Sequence, residues 1–201
     1  QHYHLFQNKR ALENITEGLI VSQNMSKKEA EKIGEQLLTR IGLLHKKDAF
    51  PSELSGGQQQ RIGIARALAM SPKLIIADEA VSALDVAIKG QIIDLMIDLQ
   101  QEFGVSYLFI SHDMAAVEKI CDRVAVMYFG EIVEIGAKKD VIANPVHPYT
   151  QRLLSAIPVT HPAQRKERII TAADKEKPRS PLKPLDYNPP VSRWARASDG
   201  H

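Results

Sequence analysis

The feature that most constrains this chain is a run of three linked segments. Leu54-Ser55-Gly56-Gly57-Gln58-Gln59-Gln60-Arg61 leads into an apolar helical pattern through Ile62, Ala65, Leu68 and Ala69, and Pro72 closes it. Leu74-Ile75-Ile76-Ala77 follows, a run too short for a helix and suited to a strand buried on both faces, and it ends at Asp78 and Glu79. A glycine-opened helix feeding a strand that ends in paired acids predicts an α/β domain, with ligands gathered beyond the strand's carboxyl end.

The rest of the chain keeps that rhythm. Ser26 predicts a helix cap and Glu29 completes a capping box, with Ala30, Ile33, Leu37, Leu38 and Ile41 at helical spacing until Gly42. A shorter helix is expected around Leu12 and Ile15, weakened by Gly18. Ile88, Ile92, Leu95, Met96 and Leu99 form a second long helical stripe that Gly104 breaks. Val105 to Ile110 reads as another buried strand, ending at Ser111-His112-Asp113. A helix from Met114 to Ile120, a strand from Val124 to Tyr128, a turn at Phe129-Gly130 and an apolar stretch from Ile132 to Ile135 follow, and a mostly parallel sheet is expected. Seven of the eleven prolines lie from Pro158 to Pro190, so residues 158–201 read as a tail either extended over a surface or partly disordered, with Trp194 either anchoring it to a hydrophobic patch or exposed on a loose tail.

Composition excludes several classes. A net charge of +2 in 201 residues gives no basic footprint for nucleic acid. The single cysteine, Cys121, excludes an internal disulfide or a thiolate cluster and reads as a buried structural thiol. The apolar runs are too short to cross a bilayer, so a membrane would be reached through a partner.

Four features carry chemistry. The amides at the start of the helix after Ser55 attract phosphate, and Gly56 and Gly57 let an anion approach the backbone. Asp78 and Glu79 leave a strand in different directions, so one can face Mg²⁺ while the other faces an attacking water. Ser82-Ala83-Leu84-Asp85 is a polar stretch where Asp85 can cap the next helix. His112, at a strand end, can bond a phosphate oxygen and orient water, whereas His45, His147 and His161 receive no catalytic role.

Together these segments resemble the ATP-binding-cassette ATPase family across nearly the whole chain. Leu54 to Gln58 resembles the signature motif, Leu74 to Glu79 the Walker B strand, and Ser82 to Asp85 the D-loop. His112 falls where the switch histidine is expected, and Gln1 where the Q-loop glutamine is. The stretch from Gln1 through the signature is similar to polar amino-acid importers. From Ile76 onward, including Met127 to Glu134, Asn144 to Thr150 and the tail, the chain is similar to dipeptide, oligopeptide and glutathione importers. Ala80-Val81 departs from the commoner Pro-Thr after the glutamate, a variant that the glutathione-importer type shares.

The resemblance implies a partial P-loop NTPase domain over residues 1–157. Residues 1–72 would hold the Q-loop and helical subdomain, 73–157 the second half of the catalytic core, and 158–201 an extension of the peptide-importer type. It implies ATP and Mg²⁺ as ligands, Glu79 and His112 as catalytic residues, and Asp78 and Gln1 at the metal. Gln1, Ser55, Gly56, Gly57, Gln58 and Asp85 would contact nucleotide. The implied partners are a second ATPase subunit packed head to tail, transmembrane permease subunits and, indirectly, a solute-binding protein, with the chain cytoplasmic on the inner face of the membrane. No G-x-x-x-x-G-K-[ST] loop occurs in the 201 residues, so this chain alone is expected not to hydrolyse ATP. A non-catalytic fragment and a soluble ATPase of DNA repair or translation are the alternatives.

Overall fold

A computed structural model describes residues 5–155, which divide between Cys121 and Asp122 into two compact units. The first unit contains helices α1 (Ala11–Gln23), α2 (Lys27–Arg40) and α3 (Gly56–Ala69), strand β1 (Leu74–Asp78), helix α4 (Val86–Phe103), strand β2 (Ser106–Ile110) and helix α5 (Met114–Ile120). Short 3₁₀ turns at Leu44–Lys46 and Pro51–Glu53 carry the chain from α2 to α3. The second unit holds strands β3 (Arg123–Tyr128) and β4 (Glu131–Ala137) and helices α6 (Lys138–Ala143) and α7 (Pro148–Ser155).

Helices α1, α2 and α3 pack around Ile15, Leu19, Leu38, Ile41 and Ile62, each no more than 1% exposed. Burial of one such side chain contributes about 1.5–3 kcal/mol, so this cluster dominates the helical part. Gly18 does not shorten α1, which runs for 13 residues. A Cβ there would stand 2.8 Å from the Met70 sulfur, so close packing outweighs the helix propensity the glycine costs. Gly34 marks a second close approach, where a Cβ would meet Leu12 Cδ1 at 2.6 Å and Thr16 Cγ2 at 2.7 Å. At the start of α2 the Ser26 hydroxyl accepts the Glu29 amide at 3.3 Å and donates to the Glu29 carboxylate at 2.5 Å. The box is thus closed hydroxyl to carboxylate, not through the Ser26 amide as the sequence pattern predicts.

Helix α4 is the crossover that makes β1 and β2 parallel, in register from Leu74 with Ser106 to Asp78 with Ile110. Ala77 is buried, and Ile75, Tyr107 and Phe109 are half-buried against the core. The opposite face is open: Leu74, Ile76, Leu108 and Ile110 are 45–64% exposed. This corrects the expectation of strands buried on both faces. A continuous apolar run signals two apolar faces, but among the described residues only one of them is covered.

In the second unit a two-residue turn at Phe129 and Gly130, with φ of +47° and +83°, folds β3 back on β4. Positive φ at both turn residues gives the twist that a tight hairpin needs, so the pair is antiparallel. The described strands therefore form one parallel and one antiparallel pair, a mixed α/β fold with a helical part instead of a mostly parallel sheet. The Glu134 carboxylate accepts the amides of Val146 and His147 at 3.0 and 3.1 Å, tying β4 to the entry of α7. Cys121 is half-buried at the end of α5, not buried. The Pro-rich extension, Trp194 and Gln1 lie outside the described residues.

Candidate functional site at the strand ends

Beyond the carboxyl ends of β1 and β2 the backbone is closely tied. The Glu79 amide donates to the Ile110 carbonyl at 2.9 Å, extending the parallel ladder by one bond. Glu79 itself turns into the left-handed region, with φ of +49°. For a non-glycine residue that conformation costs on the order of 1–3 kcal/mol and persists only where its surroundings hold it. Here Ser82 holds it, its amide and hydroxyl both donating to the Glu79 carbonyl at 3.1 and 2.9 Å.

The turn aims the Glu79 side chain at His112, whose Nδ1 lies 2.7 Å from Oε1. A carboxylate only accepts, so the imidazole donates from Nδ1, and Nε2 is an acceptor in the neutral ring and a donor in the imidazolium. The other oxygen, Oε2, is buried without a hydrogen-bond partner among the described residues. An acceptor in that state is suited to a water or a metal-bound group. Asp78, one residue earlier, is exposed. Magnesium takes one or two protein carboxylates and fills its other positions with water and phosphate oxygens, so the exposed Asp78 carboxylate and the unpartnered Glu79 oxygen, on residues that line one cavity, are the kind of donors it takes. A cavity of about 390 Å³ adjoins this strand end, lined by Gln60, Gly63 and Arg66 of α3 and by Asp78, Glu79 and Tyr107.

The start of α3 is a second part of the site. Ser55 Oγ accepts the Gln58 amide at 3.3 Å and Gln58 Oε1 accepts the Ser55 amide at 2.9 Å. This reciprocal cap occupies the Gln58 side chain in holding the helix end. The first amides of a helix have no acceptor within it, so those of Gly56 and Gly57 point out of that end. Asp85 caps α4 as the sequence suggests, its carboxylate accepting the Ile88 amide at 2.9 Å.

Lys89 and Asp113 were not singled out from the sequence. Their ion pair, at 3.0 Å, ties the first turn of α4 to the residue after His112, and a lone lysine on a helix surface gives no signal of such a partner. The Lys89 hydrogen bond is the chief cause holding the Asp113 carboxyl below its usual range, against the upward push of burial, and the Ala116 amide helps. A depressed folded-state value stabilises the fold above the unfolded carboxylate's range, and that stability is lost as pH falls through the folded value. Lys89→Met is therefore expected to lower the melting temperature at pH 7, with the gap to the parent closing toward acid. A gap that does not change between neutral and acid pH would show that the pair contributes nothing through Asp113.

Structure thus brings Glu79 and His112 together, sets Asp78 beside them, and links Asp85 to α4. Gln1 lies outside the described residues.

Comparison with known proteins gives two family matches. Residues 1–82 match the family described as ABC transporter, and residues 133–182 match the oligopeptide/dipeptide transporter, C-terminal region. The glutathione import ATP-binding protein GsiA of Pectobacterium atrosepticum is 50% identical over 189 residues, covering 94% of this chain and 30% of that protein. The protein of the same name in Escherichia coli K12 is 57% identical over 164 residues, 81% of this chain and 26% of that protein. Its namesake in Shigella boydii matches at 57% over 164 residues as well. The chain spans less than a third of the length of these curated relatives.

Proposed function

We propose that this chain, which belongs to the ABC-transporter family of ATP-binding subunits, is part of the ATPase that drives import of glutathione or short peptides. The observation that carries the reading is the Glu79–His112 pair at the strand ends, with the other Glu79 oxygen buried without a partner among the described residues and Asp78 lining the same cavity. The similarity of residues 133–182 to the oligopeptide/dipeptide transporter C-terminal region supports the cargo class. The finer fold reading is a P-loop NTPase domain with its helical subdomain.

In this reading Glu79 accepts a hydrogen bond from the water that attacks the γ-phosphate, and its negative charge polarises that water. His112 holds the carboxylate through Nδ1, and in its imidazolium form Nε2 donates to a phosphate oxygen. Asp78, with Gln1, would hold Mg²⁺, which supplies charge neutralisation on the phosphates when bound. The Gly56 and Gly57 amides, behind the cap made by Ser55 and Gln58, receive a nucleotide held mainly by an opposing ATPase subunit in a head-to-tail dimer. Asp85 organises the turn between these parts. Phosphoryl transfer depends mostly on placement and charge stabilisation, so these 201 residues without a lysine-bearing phosphate loop are proposed not to turn over ATP alone.

The partners are permease subunits that anchor the assembly to the cytoplasmic face of a membrane and, through them, a solute-binding protein. No helix among the described residues is long and apolar enough to cross a membrane. Disruption of the gene in its source cell is expected to abolish uptake of labelled glutathione or of a labelled dipeptide. Unchanged uptake of both would overturn the cargo class.

A further inference from the structure

The first turn of α4 meets three segments around the candidate site. Asp85 caps it through the Ile88 amide at 2.9 Å, and Lys89 reaches Asp113, next to His112, at 3.0 Å. Ile88 itself meets the start of α3: a Cβ built on Gly57 would lie 2.7 Å from Ile88 Cγ2. Real Cβ atoms do not come so close, so the two helices approach at a distance that only a glycine permits.

Cγ2 is not the free end of a flexible chain. It is bonded directly to Cβ, and a β-branched residue in a helix is largely restricted to one χ1 rotamer. Ile88 therefore acts as a fixed stop against the α3 backbone. One turn further along α3, Arg61 reinforces the contact, donating to Gln91 Oε1 of α4 and to the Ile41 carbonyl, both at 3.2 Å.

From these contacts we infer that Ile88 is a positioning residue, setting the start of α3 relative to the Glu79–His112 turn through its contact with Gly57. The inference rests on the ATP-hydrolysis reading above. It adds that reading's regulation: in a head-to-tail dimer the start of α3 serves the opposing nucleotide, whereas Glu79 serves the chain's own. The Gly57–Ile88 contact is then the mechanical link by which occupancy of one site is felt at the other.

The test measures steady-state ATP hydrolysis, with thermal melts alongside, on the full-length protein in its transporter complex. The variants are Gly57→Ala, Ile88→Ala, the double variant, and Glu79→Gln as reference. Gly57→Ala is expected to lower kcat by about 10-fold or more at unchanged KM for ATP, because sub-ångström misplacement of a site is costly. The double variant removes Cγ2, together with the rest of the Ile88 side chain beyond Cβ, from the space the new methyl needs, and is expected to restore kcat to within about 3-fold of the parent. A raised KM with no rescue by Ile88→Ala would mean that the alanine only blocks the anion's approach, which overturns the positioning role and leaves the ATPase reading standing. Losses that track the melting temperature would reduce the contact to packing and overturn it too. A parent complex without turnover, or a Glu79→Gln variant that keeps it, would overturn the ATPase reading and this inference together.

Discussion

Glu79→Gln in the full-length protein is expected to lower ATP turnover by about 100-fold or more while nucleotide still binds, as removal of a general base generally does. Glutamine keeps the size of the side chain and an oxygen to accept from His112 Nδ1, so the 2.7 Å contact can survive. What it loses is the negative charge that polarises water. It also replaces the unpartnered Oε2 with a group that donates, or turns that donor toward the imidazole. The first orientation removes the acceptor the water needs; the second leaves an oxygen there but sets two N–H donors against each other at His112, and neither carries the charge. The strained φ of +49° should be unaffected, since Ser82 fixes it through the backbone carbonyl, and the melting temperature is expected to stay within about 2 °C of the parent. Phosphate release and nucleotide binding, measured on the same preparation, separate the outcomes. A variant retaining a third of the parent's turnover would remove Glu79 from the chemistry. Lost binding with lost turnover would make it a ligand-holding residue instead.

The parts of the site legible in the sequence are those in which one short segment contains its own physical partners. Ser55 and Gln58 cap each other across three residues, Asp85 caps Ile88, and Gly104 ends α4 with φ of +63°. Each is a local rule with a local signature. Contacts between distant segments left no such trace. Gly18 reads as a helix breaker until Met70 is seen against it, and Gly57 reads as an anion-accommodating glycine until Ile88 is seen there as well. The Lys89–Asp113 pair is illegible for the same reason.

The sheet shows a subtler limit. The runs Leu74 to Ala77 and Val105 to Ile110 are apolar on both faces, and such patterning reports what a strand is suited to, not what covers it. The open face of Leu74, Ile76, Leu108 and Ile110 therefore could not be foreseen. At β3 and β4 the turn at Phe129-Gly130 is legible in the sequence. Two residues are too few for the crossover that parallel pairing requires, so the turn dictates the antiparallel hairpin.

Asn14 is the residue whose loss is expected to damage the fold most, and nothing in the sequence marks it. It lies within α1, where asparagine is a poor helix former, yet it is fully buried. Its side chain accepts the Phe6 amide at 2.8 Å and donates to the carbonyls of Phe6, Lys9 and Arg10 at 3.1, 3.0 and 3.1 Å. One amide thus gathers the turn that leads into α1. Asn14→Ala takes the side-chain partner from the Phe6 amide and the Lys9 carbonyl, while the Phe6 and Arg10 carbonyls keep the backbone amides of Lys9 and residue 14, and with about 1–3 kcal/mol for each buried group left unpaired a loss of roughly 3 kcal/mol is expected. In a chain of this size that corresponds to a fall in melting temperature of about 6–12 °C. Asn14→Asp separates hydrogen bonding from packing. An ionised carboxylate can still accept from Phe6 but would face three carbonyl oxygens, so this variant is expected to be at least as unstable at neutral pH. Part of the loss should return in acid, where the protonated side chain donates again. A fall of under 1 °C for Asn14→Ala would show that the turn is held by its backbone alone. An Asp variant with no recovery in acid would assign the cost to packing, not to the missing donor.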